Sequence, residues 1–297
     1  MKIAANLSFF YESNLAEPVR IFMKNRMAVL GLVILLFFFI IGILAPLLTT
    51  HDATAMNRLE NGRPARLQSP SITFFFGTTD LGRDVYSQIV MGTRVALLVG
   101  FLTALIVTFI GTTIGLISGY YGGWIDNLLM RFVDILYSIP FIPFVIVLVS
   151  LLKPSLWNII LAIALLTWRS VTRIVRSQVL SLVQRPYVKA ARVAGASDFR
   201  IIFVHIAPNV LPLAFLEMAF MIGWAIIAES SVSFIGFGDP SLISWGQILH
   251  ASFLSGAVRT AWWWVIPPGL AIVILVTSVF MITTGLEDVN NPRLRRH

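Results

Sequence analysis

Two acidic residues stand inside long apolar stretches of this sequence: Asp134, with Arg131 three residues before it, and Glu217. An ionisable group in such a stretch is costly to bury and by default marks a solute path, a proton relay or a contact with another subunit. Asp134 is about one turn from the end of its stretch, so an ion pair with Arg131 at i, i+3 is the plain reading. Glu217 lies midway along its own stretch, where it either lines a translocation path or pairs with a residue of another subunit. Glu229 and Ser230 mark the far end of that stretch. Other chemistries find little support. His51, His205, His250 and His297 are scattered without metal-ligand spacing. There is no cysteine, which excludes disulfides, zinc-thiolate sites and Cys nucleophiles. Serines are many, but no nucleophile elbow surrounds one. Gly122-Gly123 reads as a tight turn, because no Gly-x-x-x-x-Gly-Lys-Ser/Thr phosphate loop occurs anywhere. The chain is therefore expected to carry no catalytic residue, no metal and no cofactor of its own, and not to be an enzyme.

The elements that hold these residues are apolar helices. The chain is 57% hydrophobic and 12% charged, about half the charged fraction of soluble domains. Its apolar residues form charge-poor runs at 27–48, 95–118, 132–152, 155–168, 206–228 and 261–286. A span needs about 20 apolar residues, so about six transmembrane helices are expected. The fourth run is short and continues as a helix into water, because Arg169, Arg173 and Arg176 recur on one face. Pro140 and Pro143, and Pro208 and Pro212, should kink or break their helices, which is tolerated where a neighbour or cavity satisfies the freed backbone. The first run is too long for a signal h-region. The net charge of +8 reflects topology rather than nucleic-acid binding: with both termini in the cytoplasm, 15 of the 22 Lys and Arg fall on the inner side. The long outer connection at 49–94 sets residues 1–70, with the first span, apart from a five-helix core at 71–297. Trp262-Trp263-Trp264 suit an interfacial belt at the start of the sixth helix.

The main inner connection reads Pro186-Tyr187-Val188-Lys189-Ala190-Ala191-Arg192-Val193-Ala194-Gly195-Ala196-Ser197-Asp198-Phe199. Pro186 suits a helix start. Tyr187, Val188, Ala191 and Ala194 share a stripe at helical spacing, Gly195 suits the turn after the helix, and Asp198 can cap a second short helix that runs into the fifth span. A short helix, a glycine hinge and another helix can plug into a groove on a soluble partner, with alanines allowing close approach.

Lys189-Ala190-Ala191, then Gly195 and Pro208, resemble the "EAA" loop of ABC importer permeases, with Lys189 where that family usually has Glu. Phe76-Gly77-Thr78-Thr79-Asp80-Leu81-Gly82-Arg83-Asp84 is similar to the "FGTDxxGRD" segment of the dipeptide/oligopeptide/nickel group. So, in order, are Gly119-Tyr120-Tyr121-Gly122-Gly123, 131–140, Ala228-Glu229-Ser230, Phe234-Ile235-Gly236, Ser244-Trp245-Gly246, Pro268-Gly269 and the tail from Asp288 to Arg295. The resemblance implies an all-α polytopic membrane protein with a type I ABC importer-like permease fold, the second permease type of such a system. It implies that the loop bearing Tyr187, Lys189, Ala190, Ala191, Gly195, Asp198 and Pro208 docks on ATPase subunits. It also implies a second homologous permease, two ATP-binding subunits that hold ATP and magnesium, an extracytoplasmic binding protein, and a place in the cytoplasmic membrane. Di- and oligopeptides are the cargo it implies, with oligosaccharides or nickel as the alternative. A secondary transporter would need a relay of acids or an inverted repeat, and a membrane scaffold would not need kinked spans.

Overall fold

The computed structural model describes residues 17–290, nearly all of them helical outside the 49–84 loop. The tail residues from 291 onward lie outside the described residues. Helix α1 is Arg26–Leu48, α2 Val85–Tyr121, α3 Gly123–Tyr137, α4 Phe141–Leu152, α5 Leu156–Val183 and α6 Pro186–Val193. Helix α7 runs over Asp198–Phe237, and α8 (Trp245–Leu254) and α9 (Trp262–Asn290) follow. Five of these helices are long and apolar enough to cross a membrane, and α3 with α4 makes a sixth crossing if the bent pair counts as one span.

That bent pair corrects one expectation. The run at 132–152 is two helices meeting at 87° rather than one kinked span. Pro140 adopts extended backbone as the residue before α4; its ring disfavours helical geometry at Ile139 and removes a donor. Pro143 falls in the first turn of α4, where a missing N–H costs nothing. Helix α3 leaves an apolar ridge exposed at Trp124, Leu128, Phe132 and Ile135, the spacing of one helical face. The second helix starts ten residues before its apolar run, because Asp84 caps it by accepting a 2.9 Å bond from Ser87 N.

The centre of the bundle is the contact between α2 and α5. Gly111, Gly115 and Gly119 recur every fourth residue on α2, facing Val171, Val175 and Val179 of α5; a Cβ built at Gly115 would stand 2.7 Å from Val175 Cγ1. Three glycines in one stripe thus bring the two backbones together, the usual way that helices associate where lipid removes the hydrophobic drive. Below the glycine ridge Ser118 Oγ bonds Asp126 of α3, and Arg176 of α5 grips the same carboxylate through two 2.5 Å contacts.

Helix α1 lies against α9 and α2. Gly31 meets the backbone at Ser278, and Gly285 meets Ala28 and Phe22. Asn25, the N-cap of α1, donates a 2.7 Å bond to Asp288 near the end of α9. The short α8 docks on α2 with the Trp245 ring over Gly92 and its indole N–H on Ile89 O at 3.0 Å. At the same end of the bundle Asp239 accepts from Leu156 N at 2.9 Å, capping α5. Burial alone would raise the Asp239 carboxyl, but the bonds from Ser241 and Leu156 outweigh it and hold the group below its ordinary value.

Candidate coupling loop and intramembrane carboxylates

The 184–200 connection folds as the sequence indicates, with three local differences. Pro186 occupies the first turn of α6. The helix ends in a Schellman turn: Ala196 N bonds Ala191 O and Gly195 N bonds Arg192 O, both at 3.1 Å, with Gly195 at φ +81°. Here only glycine is unstrained. The cap of the following helix is Ser197, whose hydroxyl accepts from Arg200 N, and not Asp198. Ser197 holds the extended cap position, which puts Asp198 inside the helix and frees its carboxylate for another partner. That partner is Tyr120 at the end of α2, whose hydroxyl donates a 2.6 Å bond to Asp198 Oδ1.

The small-residue stripe also divides. Val188 is 1% exposed, and Ala191 packs with it, alongside Ala196, on the cluster built from Val179, Leu182 and Ile201. Tyr187, Lys189, Ala190 and Ala194 point outward. Period 3.6 placed Val188 and Ala191 on one face correctly, but that face meets the protein's own body, since an eight-residue helix needs an apolar anchor to stay folded. The outward face is completed by Val193, 91% exposed, and Phe199, 71% exposed.

Pro208 sits just past a π turn at Ile201–Ile206. Ala207 N bonds Ile202 O, five residues back, and Pro208 offers no N–H to restore the ordinary pattern. The helix therefore widens at this proline instead of breaking, and α7 continues through Pro212.

Asp134 does not pair with Arg131. Its partner is Arg173 of α5, whose guanidinium also covers the Tyr137 ring at 3.9 Å; Arg169 lies over the same ring at 4.5 Å and bonds Leu136 O. This clamp fastens α3 to α5 beside the 87° bend. An arginine 39 residues away wins because the i, i+3 neighbour lies along α3 while Arg173 faces it from the packed helix.

Glu217 is half-buried at the middle of α7 and makes no hydrogen bond or ion pair among the described residues. Glu229, expected only to mark a helix end, is 2% exposed. Its carboxylate accepts from Ser233 at 2.6 Å and Ser230 at 3.4 Å. A Cβ at Gly246 would lie 2.4 Å from Ser230 O, so the first turn of α8 presses directly on this cage. The serines at one and four residues after Glu229 were a visible helical signal; the turn of α8 that presses on Ser230 was not.

Residues 111–296 match the model of the binding-protein-dependent transport system inner membrane component, and residues 13–70 that of the N-terminal TM domain of oligopeptide transport permease C. The dipeptide transport system permease protein DppC of Alkalihalophilus pseudofirmus is 39% identical over 92% of this chain and 88% of its own length. The oligopeptide transport system permease protein OppC of Bacillus subtilis is 34% identical over 93% and 88%. The glutathione transport system permease protein GsiD of Pectobacterium atrosepticum is 34% identical over 93% and 90%. A chain of the MetNI methionine ABC transporter, solved in inward-facing conformations, shares the fold with a TM-score of 0.55 at 18% identity, over 70% of this chain and 97% of its own. Matched over more than half its length by the family model and over nearly all of it by these permeases, the chain belongs to the binding-protein-dependent transport system inner membrane components, the permease family of ABC importers.

Proposed function

We propose that this chain forms half of the translocation pathway of an ATP-driven importer of di- and oligopeptides. The observation that carries the cargo is the 34–39% identity, over more than nine-tenths of the chain, to dipeptide and oligopeptide permeases. A second, homologous permease supplies the other half of the path. Two ATP-binding subunits hold ATP and magnesium and carry out hydrolysis, and an extracytoplasmic binding protein delivers the peptide. Both termini and the α6 loop face the cytoplasm, in keeping with the basic residues gathered at that end.

The outward face of α6, with Tyr187, Lys189, Ala190 and Val193, docks in a groove of one ATP-binding subunit. Approach of the two ATPases on binding nucleotide then displaces α6, and the packed spans convert that displacement into opening toward the outside. Glu217 faces the pathway or the second permease, because a half-buried carboxylate at the membrane centre is retained only where water or a partner solvates it. Asp134 serves the α3–α5 clamp. Residues 1–70 act as a peripheral arm on the 71–297 core.

Reconstituting the permease with its second permease, ATPases and binding protein in liposomes tests the assignment. ATP-dependent uptake of labelled di- and tripeptides is expected. Uptake of nickel or an oligosaccharide without uptake of peptide would overturn the cargo, and uptake driven by an ion gradient without ATP would overturn the mechanism.

A further inference from the structure

A docked helix does no work unless its displacement reaches the spans, and α6 has few attachments through which to pass it on. Its apolar anchors are Val188 and Ala191, small side chains on a smooth surface, which resist separation but resist sliding poorly because dispersion contacts carry no direction. The directional attachments converge on one residue. Tyr120, 7% exposed, is the penultimate residue of α2. Its hydroxyl donates the 2.6 Å bond to Asp198 at the start of α7, and the Arg192 guanidinium of α6 lies 5.5 Å from its ring centroid. One phenol therefore touches both sides of the Gly195 hinge.

The segment of α2 that holds Tyr120 is itself rigidly held. Ser118 bonds Asp126 of α3, Asp126 is gripped by Arg176 of α5, and Gly119 packs on Val179. A push on α6 or on the first turn of α7 that is felt at Tyr120 is felt by α2, α3 and α5 together. We propose that Tyr120 is the positioning residue that couples the α6 loop to the transmembrane bundle, through its hydroxyl bond to Asp198 and its ring under Arg192. The inference rests on the docking role proposed for α6 and adds the route by which docking moves the spans. A hydrogen bond to a charged acceptor resists displacement more than a neutral one, so the latch holds through the stroke while the apolar anchors adjust.

The test uses the complete reconstituted importer and compares Tyr120→Phe, Asp198→Asn, Asp198→Ala and the Tyr120→Phe/Asp198→Ala double variant. Co-purification of the ATPases and peptide taken up per ATP hydrolysed are measured for each. Tyr120→Phe keeps the ring and its packing, so the ATPases remain bound while uptake per ATP falls about tenfold, the factor expected for one bond to a charged acceptor. Asp198→Asn still offers an oxygen to the phenol, but a neutral one, so it falls about two- to fivefold, less than Asp198→Ala. Asp198→Ala falls as far as Tyr120→Phe, and the double variant falls no further than either single change, because both remove one interaction. Wild-type coupling by Tyr120→Phe, equal loss in Asp198→Asn and Asp198→Ala, or additive loss in the double variant would each overturn the proposal. So would loss of the ATPases from Tyr120→Phe, which would make the latch part of the docking surface. Failure of the docking role itself shows separately, as retention of the ATPases by a protein whose Gly195 turn has been disrupted.

Discussion

Replacing Gly195 isolates a single physical quantity, the cost of a left-handed backbone. A Cβ built at Gly195 meets nothing within 4 Å, so a substituted side chain is not resisted by neighbours. Its φ of +81° is the whole obstacle, and for an ordinary L-residue that conformation costs about 1–2 kcal/mol. In the free permease Gly195→Ala can relieve the strain by loosening the last turn of α6, since an eight-residue helix is marginal on its own. In the docked complex the turn must close again and the cost returns. Apparent affinity for the ATPase subunits should then fall about 5- to 30-fold, at about 1.4 kcal/mol per factor of ten. Asn accepts the left-handed region more readily than other non-glycine residues, so Gly195→Asn should fall less. Gly195→Val, β-branched, should fall most. Titrating purified ATPase subunits against the permease in nanodiscs measures all three. If Gly195→Ala and Gly195→Val bind as the parent does, or if Asn is worse than Ala, the backbone conformation does not set the docking geometry.

Further expectations follow from other parts of the fold. Glu217→Leu should insert normally yet lower uptake at least tenfold, with Glu217→Gln retaining more of it because a polar head still meets water or a partner; normal uptake by the Leu protein would place the residue outside the path and the interface. Gly115→Leu drives side-chain atoms into Val175 Cγ1, 2.7 Å from the first added carbon, and overpacking of this kind costs about 1–3 kcal/mol or more. It should lower the midpoint of thermal unfolding in detergent, and an unchanged midpoint would mean α2 and α5 can separate freely. With no native cysteine to interfere, a membrane-impermeant thiol reagent on intact cells should label Glu60→Cys and leave Ala190→Cys unlabelled; the reverse pattern would invert the topology.

The parts of this molecule legible in its sequence are those fixed by local chemistry. Long charge-free runs gave the spans, and Pro186 and Gly195 gave the start and stop of α6, because each acts through its own φ. Glycines at every fourth position of α2 are equally local, but only the opposing valines of α5 reveal what they serve. What stayed hidden depends on residues distant in the chain. Asp134 finds Arg173 and Tyr120 finds Asp198, at separations of 39 and 78 residues, and no periodicity in one segment announces a partner in another. Glu229 was hidden for a related reason: its burial is created by α8, a 10-residue helix too short to stand out among 20-residue spans. The bend at Pro140 lay between the two kinds. The proline was visible, but whether it kinks a span or ends one depends on what the freed ends pack against.

The π turn below Pro208 gives the coupling route a mechanical consequence that can be tested. Helix α7 runs for 40 residues, from the Asp198 latch, past Glu217, to the caged Glu229. Its regular stretch, Ala207–Val232, behaves as a rod, and the rod meets the loop through the π turn at Ile201–Ile206. A π turn holds one more residue than an α turn closing the same ring of hydrogen bonds, so it sets the rotation of everything beyond it relative to Asp198. Pro208 supports this state by withholding an N–H that would bond Val204 O in an α-helix. Pro208→Ala supplies that donor and favours the α pattern, and absorbing one residue turns the rod by about 100°. Glu217 and Glu229 would then face away from their present surroundings, or the latch at Asp198 would release to spare them. Either way the outward surface of α6 is untouched. The Pro208→Ala permease should keep its ATPases and lose uptake per ATP, and Asn209, which bonds His205 O across the turn, offers the structural readout. A cysteine pair placed across the turn at positions 205 and 209, cross-linked in the parent protein by a short reagent, should change its yield in the Pro208→Ala background. Unchanged cross-linking together with unchanged coupling would show that the π turn is held by tertiary packing alone and that the proline has no part in setting the rod.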